Sequence, residues 1–212
     1  MKLRDLVEIQ IGYQNRDRAR PMSALIKGSH RIVQIKDLDL EGSFESTRLG
    51  REGMLPRIWT NNLFWVTPSS DVRRYQVDQG NVLFLYRGQR PLAITVSEHI
   101  PETIASYYFY ILRLHLECVL PEYLAWFINQ PSAQAYLESH QLGSHIKMIP
   151  KSAFENMEIV LPSLAIQRLI VDLEKLRQKE EYSMARLVKA RKTLVNRLAL
   201  QAALAGHEYV IQ

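Results

Sequence analysis

One cysteine, Cys118, stands among 212 residues. No disulfide can staple the chain internally, so a reducing compartment, the cytoplasm, is the expected location. Cys118 precedes Val119 and Leu120 and reads as a small core residue rather than a nucleophile. Long apolar runs are absent: nothing approaches the ~18 residues of a membrane helix, and no membrane association is expected. The opening MKLRDLVEIQ carries charge every two or three residues and has no apolar centre, unlike a secretory leader. Catalytic signatures are missing too. There is no GxxxxGK[ST] phosphate loop, no dinucleotide fingerprint and no G-x-S-x-G. No Asn-Pro-Pro-aromatic or Asp-Pro-Pro-aromatic run marks an amino-methyltransferase pocket, and no Pro-Asp followed by Glu-x-Lys marks a nuclease metal site. His30, His99, His115, His140, His145 and His207 are scattered, and His140 and His145 lie on opposite sides of Gly143 with no Cys or carboxylate cluster. The expectation is a chain that is not an enzyme and holds no metal or cofactor of its own.

What is present is a core and a charge pattern. Apolar residues make up 47% and charged residues 23%, the mix of a folded domain. The formal charge is +5, which is compatible with a polyanionic partner and equally with a solvated surface. Its distribution is more informative. Residues 1–90 hold 15 basic and 10 acidic side chains, and 12 of those basics are Arg. Residues 91–160 hold 3 basic and 7 acidic, and residues 161–212 hold 9 and 5. Arginine's planar fork suits phosphate and the edge of guanine.

The first half reads as strands separated by polar loops: RIVQIKDL (31–38), NLFWVTP (62–68), NVLFLYRG (81–88), LAITVSE (92–98) and SYYFYILRLHL (106–116). From Pro121 the spacing turns helical, through PEYLAWFINQ and then Ala133–Leu137. A Gly-started basic loop follows at 143–152, and NMEIVLP (156–162) reads as a last strand.

Neither Gly nor Pro occurs between Ser163 and Ala205. Ser163 can cap a helix start and Gly206 can follow its end. Ile166, Leu169, Ile170, Leu173, Leu176, Met184, Leu187, Leu194 and Leu198 recur mostly at steps of three, four or seven. One amphipathic helix of about 65 Å is predicted, longer than the ~30–40 Å of the domain before it. A two- to four-stranded coiled coil covers such a stripe, with Glu180 and Arg191 as polar interruptions that set register. A hairpin broken near Gln178–Ser183 is the alternative. The fold class is therefore α+β: a mainly β domain with short helices over 1–162, then one long helix over 163–212 for dimerisation and assembly.

Segment 120–176 resembles the end of a target recognition domain in type I restriction–modification specificity subunits. The matching positions are Tyr123, Leu124, Phe127, Ile128 and Asn129; Gly143; and Ile159, Leu161, Pro162, Leu164, Gln167 and Ile170. The opening LRDLVEIQIGYQNR and the run GNVLFLYRG are similar to the family's as well. Ser163 stands where a second Pro is usual, Ile166 where Glu is usual and Asn81 where Asp is common. The resemblance implies half of a pseudo-symmetric subunit, whose long helix pairs with that of a second copy.

It also implies double-stranded DNA as partner. Further implied partners are a second copy of the chain, a methylation subunit that binds S-adenosylmethionine and modifies adenine, and, where one exists, a restriction subunit. The dimer is expected to read a split palindrome. Candidate DNA contacts are Arg16, Arg18, Arg20, Lys36, Arg57, Asn61, Asn62, Arg73, Arg74 and Arg87, with Ser144, His145 and Lys147 of the Gly loop. Asn can pair with adenine through two bonds, although Asn61–Asn62 also suits a capped turn and Arg73–Arg74 a solvated one. Two other classes stay open: a stand-alone DNA-binding module of another phage-defence complex, and a mimic of a specificity subunit. A neighbouring methyltransferase gene, or DNA binding only beside a partner, separates them.

Overall fold

The run Val82–Leu85 is apolar at every position and wholly buried, as a strand is when both its faces are covered. The computed structural model of the chain shows how. It describes residues 1–14, 28–39, 57–58, 60, 63–68, 71–88 and 90–207. Strands β1 (Val7–Ile11), β6 (Val82–Leu85), β7 (Leu92–Thr95) and β9 (Phe109–Leu114) form an antiparallel sheet in the order β1-β9-β6-β7. Alternate residues of its inner strands serve two cores. Val82, Phe84, Tyr110 and Leu112 enter one, with Tyr123, Leu124, Ile128, Leu137 and Phe154. Leu83, Leu85, Phe109 and Ile111 enter the other, with Val33, Leu38, Leu63, Val77 and Ile100.

Strands β2 (His30–Val33), β5 (Phe64–Val66) and β8 (Thr103–Ala105) make a second sheet, with β2 antiparallel to β5 and parallel to β8. Strands β3 (Leu38–Asp39) and β4 (Arg57–Ile58) pair as a short ribbon. Helices α1 (Pro121–Ile128), α2 (Pro131–Ser139) and α3 (Lys151–Glu155) follow, then α4 (Leu164–His207). The class is α+β, as the sequence predicts.

Several details differ from expectation. RIVQIKDL is not one strand: after Val33 the chain makes a 3₁₀ turn over Ile35–Asp37 before β3, because buried Asp37 accepts the Gln34 N–H and closes that turn. NMEIVLP is not a strand but a single bridge, Lys2 to Glu158, with backbone bonds to Met1 and Leu3. The sequence reading omits α3. Cys118 is exposed rather than in the core. It sits in the turn between β9 and α1, where Val119 next to it takes the buried position.

Contacts divide the chain into two units, residues 1–40 with 56–173 and residues 41–55 with 174–212. The helix α4 runs unbroken from one to the other over 44 residues, so there is no hairpin break near Gln178–Ser183.

Candidate nucleic-acid interface

Strand register brings separate loops together. Ile11 pairs with Tyr110, and Leu85 pairs with both Phe109 and Leu92. The end of β1, the start of β9, the end of β6 and the start of β7 therefore lie at one end of the larger sheet. The described loop residues that begin or finish there are Gly12–Gln14, Tyr86–Gly88 and Ser106–Tyr108. Gly12 lets two of them touch: a β-carbon there would collide with the Ser106 carbonyl oxygen. Tyr13 then donates to Ala105 O (2.7 Å), and Tyr107 donates to Tyr13 O (2.9 Å).

The Gly143 loop joins the same end. Leu142 and Met148 exchange both backbone hydrogen bonds at 2.9 Å, so the loop is a tight hairpin. Gly143 has φ +98°, a left-handed conformation that glycine adopts without strain. Gly88 donates to Lys147 O (3.0 Å), Ile149 donates to Tyr86 O (2.8 Å), and Arg87 bridges Met148. The structure thus sets the backbone of Arg87 against the stem of the hairpin that carries Ser144, His145 and Lys147, more than fifty residues away in sequence. Those three hairpin residues are exposed.

Arg87 stands over the ring of Tyr107 at 5.5 Å, and Tyr107 lies against Tyr108 with centroids 4.2 Å apart. The Arg87 Nε is enclosed with no hydrogen-bond partner among the described residues. The hydrogen bond with Tyr108 raises the Tyr107 phenol above its ordinary range. Burial does the same to Tyr86, against the opposing pull of Arg87.

The other candidates separate into distinct environments. Arg73 is held by Asp71 through three side-chain bonds of 2.7–3.1 Å, which neutralise much of its charge. The same bonds pull the Asp71 carboxyl down to about 2. Arg74 lies over the ring of Tyr75 at 4.7 Å, and Tyr75 meets Tyr13 edge-on at 5.3 Å. That links the 71–75 turn to the same end of the sheet. Lys36 sits over the ring of Phe64. The backbone of Arg57 pairs with that of Asp39. Arg16, Arg18, Arg20, Asn61 and Asn62 lie outside the described residues.

Sequence reasoning missed the aromatic partners. Tyr107, Tyr108 and Tyr75 read as strand or turn residues, and Arg31 over Trp65 (5.2 Å) was not singled out. Cation–ring pairs span strands and leave no spacing signal.

On α4, Ile166, Leu169, Leu173, Leu176, Met184, Leu187, Leu194 and Leu198 are all exposed. Ile170 is the exception among the expected assembly residues, since it packs against the chain's own core beside Val171. Val188, Val195, Leu200 and Leu204 extend the exposed apolar surface beyond the expected set.

No family model matches the chain, and no curated protein matches its sequence. Among solved structures, the specificity subunit of a type I restriction–modification system from M. genitalium superposes with a TM-score of 0.52 at 12% identity. The match covers 95% of this chain and 44% of that one. In fold, over nearly its whole length, the chain is similar to a little under half of a type I specificity subunit.

Proposed function

We propose that this chain is a DNA sequence-specificity subunit of a type I restriction–modification system. One observation carries the reading. On a specificity-subunit fold, Arg87 and the basic hairpin Ser144–Lys147 converge at one end of the larger sheet.

In this reading Arg87 and Lys147 bind backbone phosphates and set the register of the duplex, while neighbouring polar side chains read base edges. The chain performs no chemistry. A methylation subunit carrying S-adenosylmethionine modifies adenine, and an endonuclease subunit joins where the system has one. The exposed stripe of α4 pairs with that of a second copy, so two recognition surfaces address a split palindrome.

The test is duplex binding by fluorescence anisotropy across a salt series. Arg87→Ala and Lys147→Ala each weaken binding to all duplexes alike and lower the salt slope by about 1. Unchanged affinity in both variants overturns the assignment of this surface.

A further inference from the structure

The hairpin at 142–148 has an apolar feature that phosphate binding does not use. Leu142 and Ile146 are 57% and 53% exposed. Single exposed aliphatics are ordinary on a protein surface. These two belong to one tight hairpin, and Ile146 stands between His145 and Lys147.

The hairpin is also stiffly mounted. Its stem is closed by the reciprocal Leu142–Met148 bonds and tied to the end of β6 through Gly88 and Tyr86. Tyr110 Oη donates to Ile149 O (2.9 Å) just beyond it. Its tip closes on Gly143, where a β-carbon would collide with the Ile146 carbonyl oxygen. An exposed aliphatic on a rigid mount loses little conformational entropy when it is buried by a partner.

The charge around it states what that partner is. Lys147 and Arg87 favour a polyanion. The extended apolar surface that a duplex can offer is the face of its bases, which becomes available when a step unstacks. We infer that Ile146 is an apolar wedge that enters the base stack and kinks the DNA. The inference rests on the DNA-reading role proposed above and adds a mechanism to it. Specificity then includes the deformability of the wedged step as well as direct base contacts, since pyrimidine–purine steps unstack most easily.

The experiment uses the full chain and a duplex selected by it from a randomised pool, with a fluorophore at each end. Anisotropy reports binding and energy transfer reports bending. The wild-type chain shortens the end-to-end distance, with a kink in the usual wedge range of about 20–90°. Ile146→Ser, at an exposed position that folding does not need, still binds but returns the transfer efficiency toward that of free duplex. Ile146→Leu keeps the bend. Wild-type binding without a bend, or an unaltered bend in Ile146→Ser, overturns the wedge and leaves the DNA-reading role intact. So does a straight duplex whose affinity depends on Ile146 and on thymine methyl groups, tested by uracil substitution. No duplex binding at all by the wild-type chain overturns both.

Discussion

Gln167 is fully buried at 0% exposure, yet its amide is completely engaged. Its Oε1 accepts the Leu120 N–H at 2.9 Å, and its Nε2 donates to Cys118 O and Pro162 O at 2.8 and 2.9 Å. One side chain therefore fastens the first turn of α4 to the connection between β9 and α1. Gln167→Ala leaves those backbone groups without partners, at a cost of about 2–3 kcal/mol. A lower urea midpoint with an unchanged m-value is the expected result. The Asp71–Arg73 pair makes a different prediction. Asp71→Asn releases the Arg73 guanidinium, so affinity for duplex DNA rises and the salt slope steepens by about 1. The carboxyl titrates near 2 instead of its ordinary 3.8. Its folded value is depressed, so the pair's contribution is present above pH 3.8 and fades as pH falls through about 2. Carbon-detected NMR of the Asp71 side chain checks that midpoint. Asn81, which departs from the pattern the sequence resembles, costs nothing visible: its Oδ1 accepts the Asp78 N–H at 3.0 Å, a bond that an aspartate accepts equally well.

Two elements depend on what covers their open sides. Strand β7 ends its sheet, and such an edge invites pairing with another chain. Asn129, at the end of α1, occupies it: Oδ1 accepts the Ala93 N–H at 2.9 Å and Nδ2 donates to Ala93 O at 2.8 Å. The side-chain amide acts as a one-residue neighbouring strand. Asn129→Leu removes both bonds and raises the tendency to aggregate, read as increased light scattering during thermal unfolding. Helix α4 carries the opposite problem. Leu169, Leu173, Leu176 and Leu187 are 54–70% exposed along a helix of 44 residues. We propose that a second helix covers that face through a coiled-coil seam. Light scattering of the full chain is expected to report a dimer, and Leu173→Glu with Leu187→Glu a monomer with unchanged helical circular dichroism per domain. A wild-type monomer at micromolar concentration sinks the dimer. Polar pairs support the helix meanwhile: Arg177 binds Glu174 at 2.6 Å and Glu181 at 2.5 Å, and the Arg177 bond to Glu174, helped by one from Gln178, holds the Glu174 carboxyl below its usual range.

At the scale of the whole molecule, we propose that two copies join through α4 and present two equivalent recognition surfaces to a target with inverted half-sites and a fixed spacer. Under the proposed function, co-expression with a type I methylation subunit is expected to mark adenines in a single split palindrome, read by single-molecule sequencing of genomic DNA. Asymmetric or absent marks contradict it.

Much of this was legible from the chain itself. The long helix needed only its freedom from Gly and Pro and its three–four spacing, because helix periodicity is a local property. Strands β6, β7 and β9 of the larger sheet were visible as apolar runs, whereas β1 was not read as a strand, and the entry to α4 was marked by Pro162, Leu164 and Gln167. What Gln167 does was not visible, since its partners lie up to 49 residues away. NMEIVLP looked like a strand because a short apolar run satisfies that pattern whether or not a ladder forms beside it. Cys118 looked like a core residue because side-chain type alone does not decide which residue of a turn faces inward. The basic residues were countable one by one, but spacing could not separate Arg73, neutralised by Asp71, from Arg87, set over Tyr107 beside Lys147. Sequence determines periodicity, charge and turn chemistry, which act between near neighbours. Only the tertiary structure decides which loops share an end of a sheet, because strand register brings together residues that the chain itself keeps far apart.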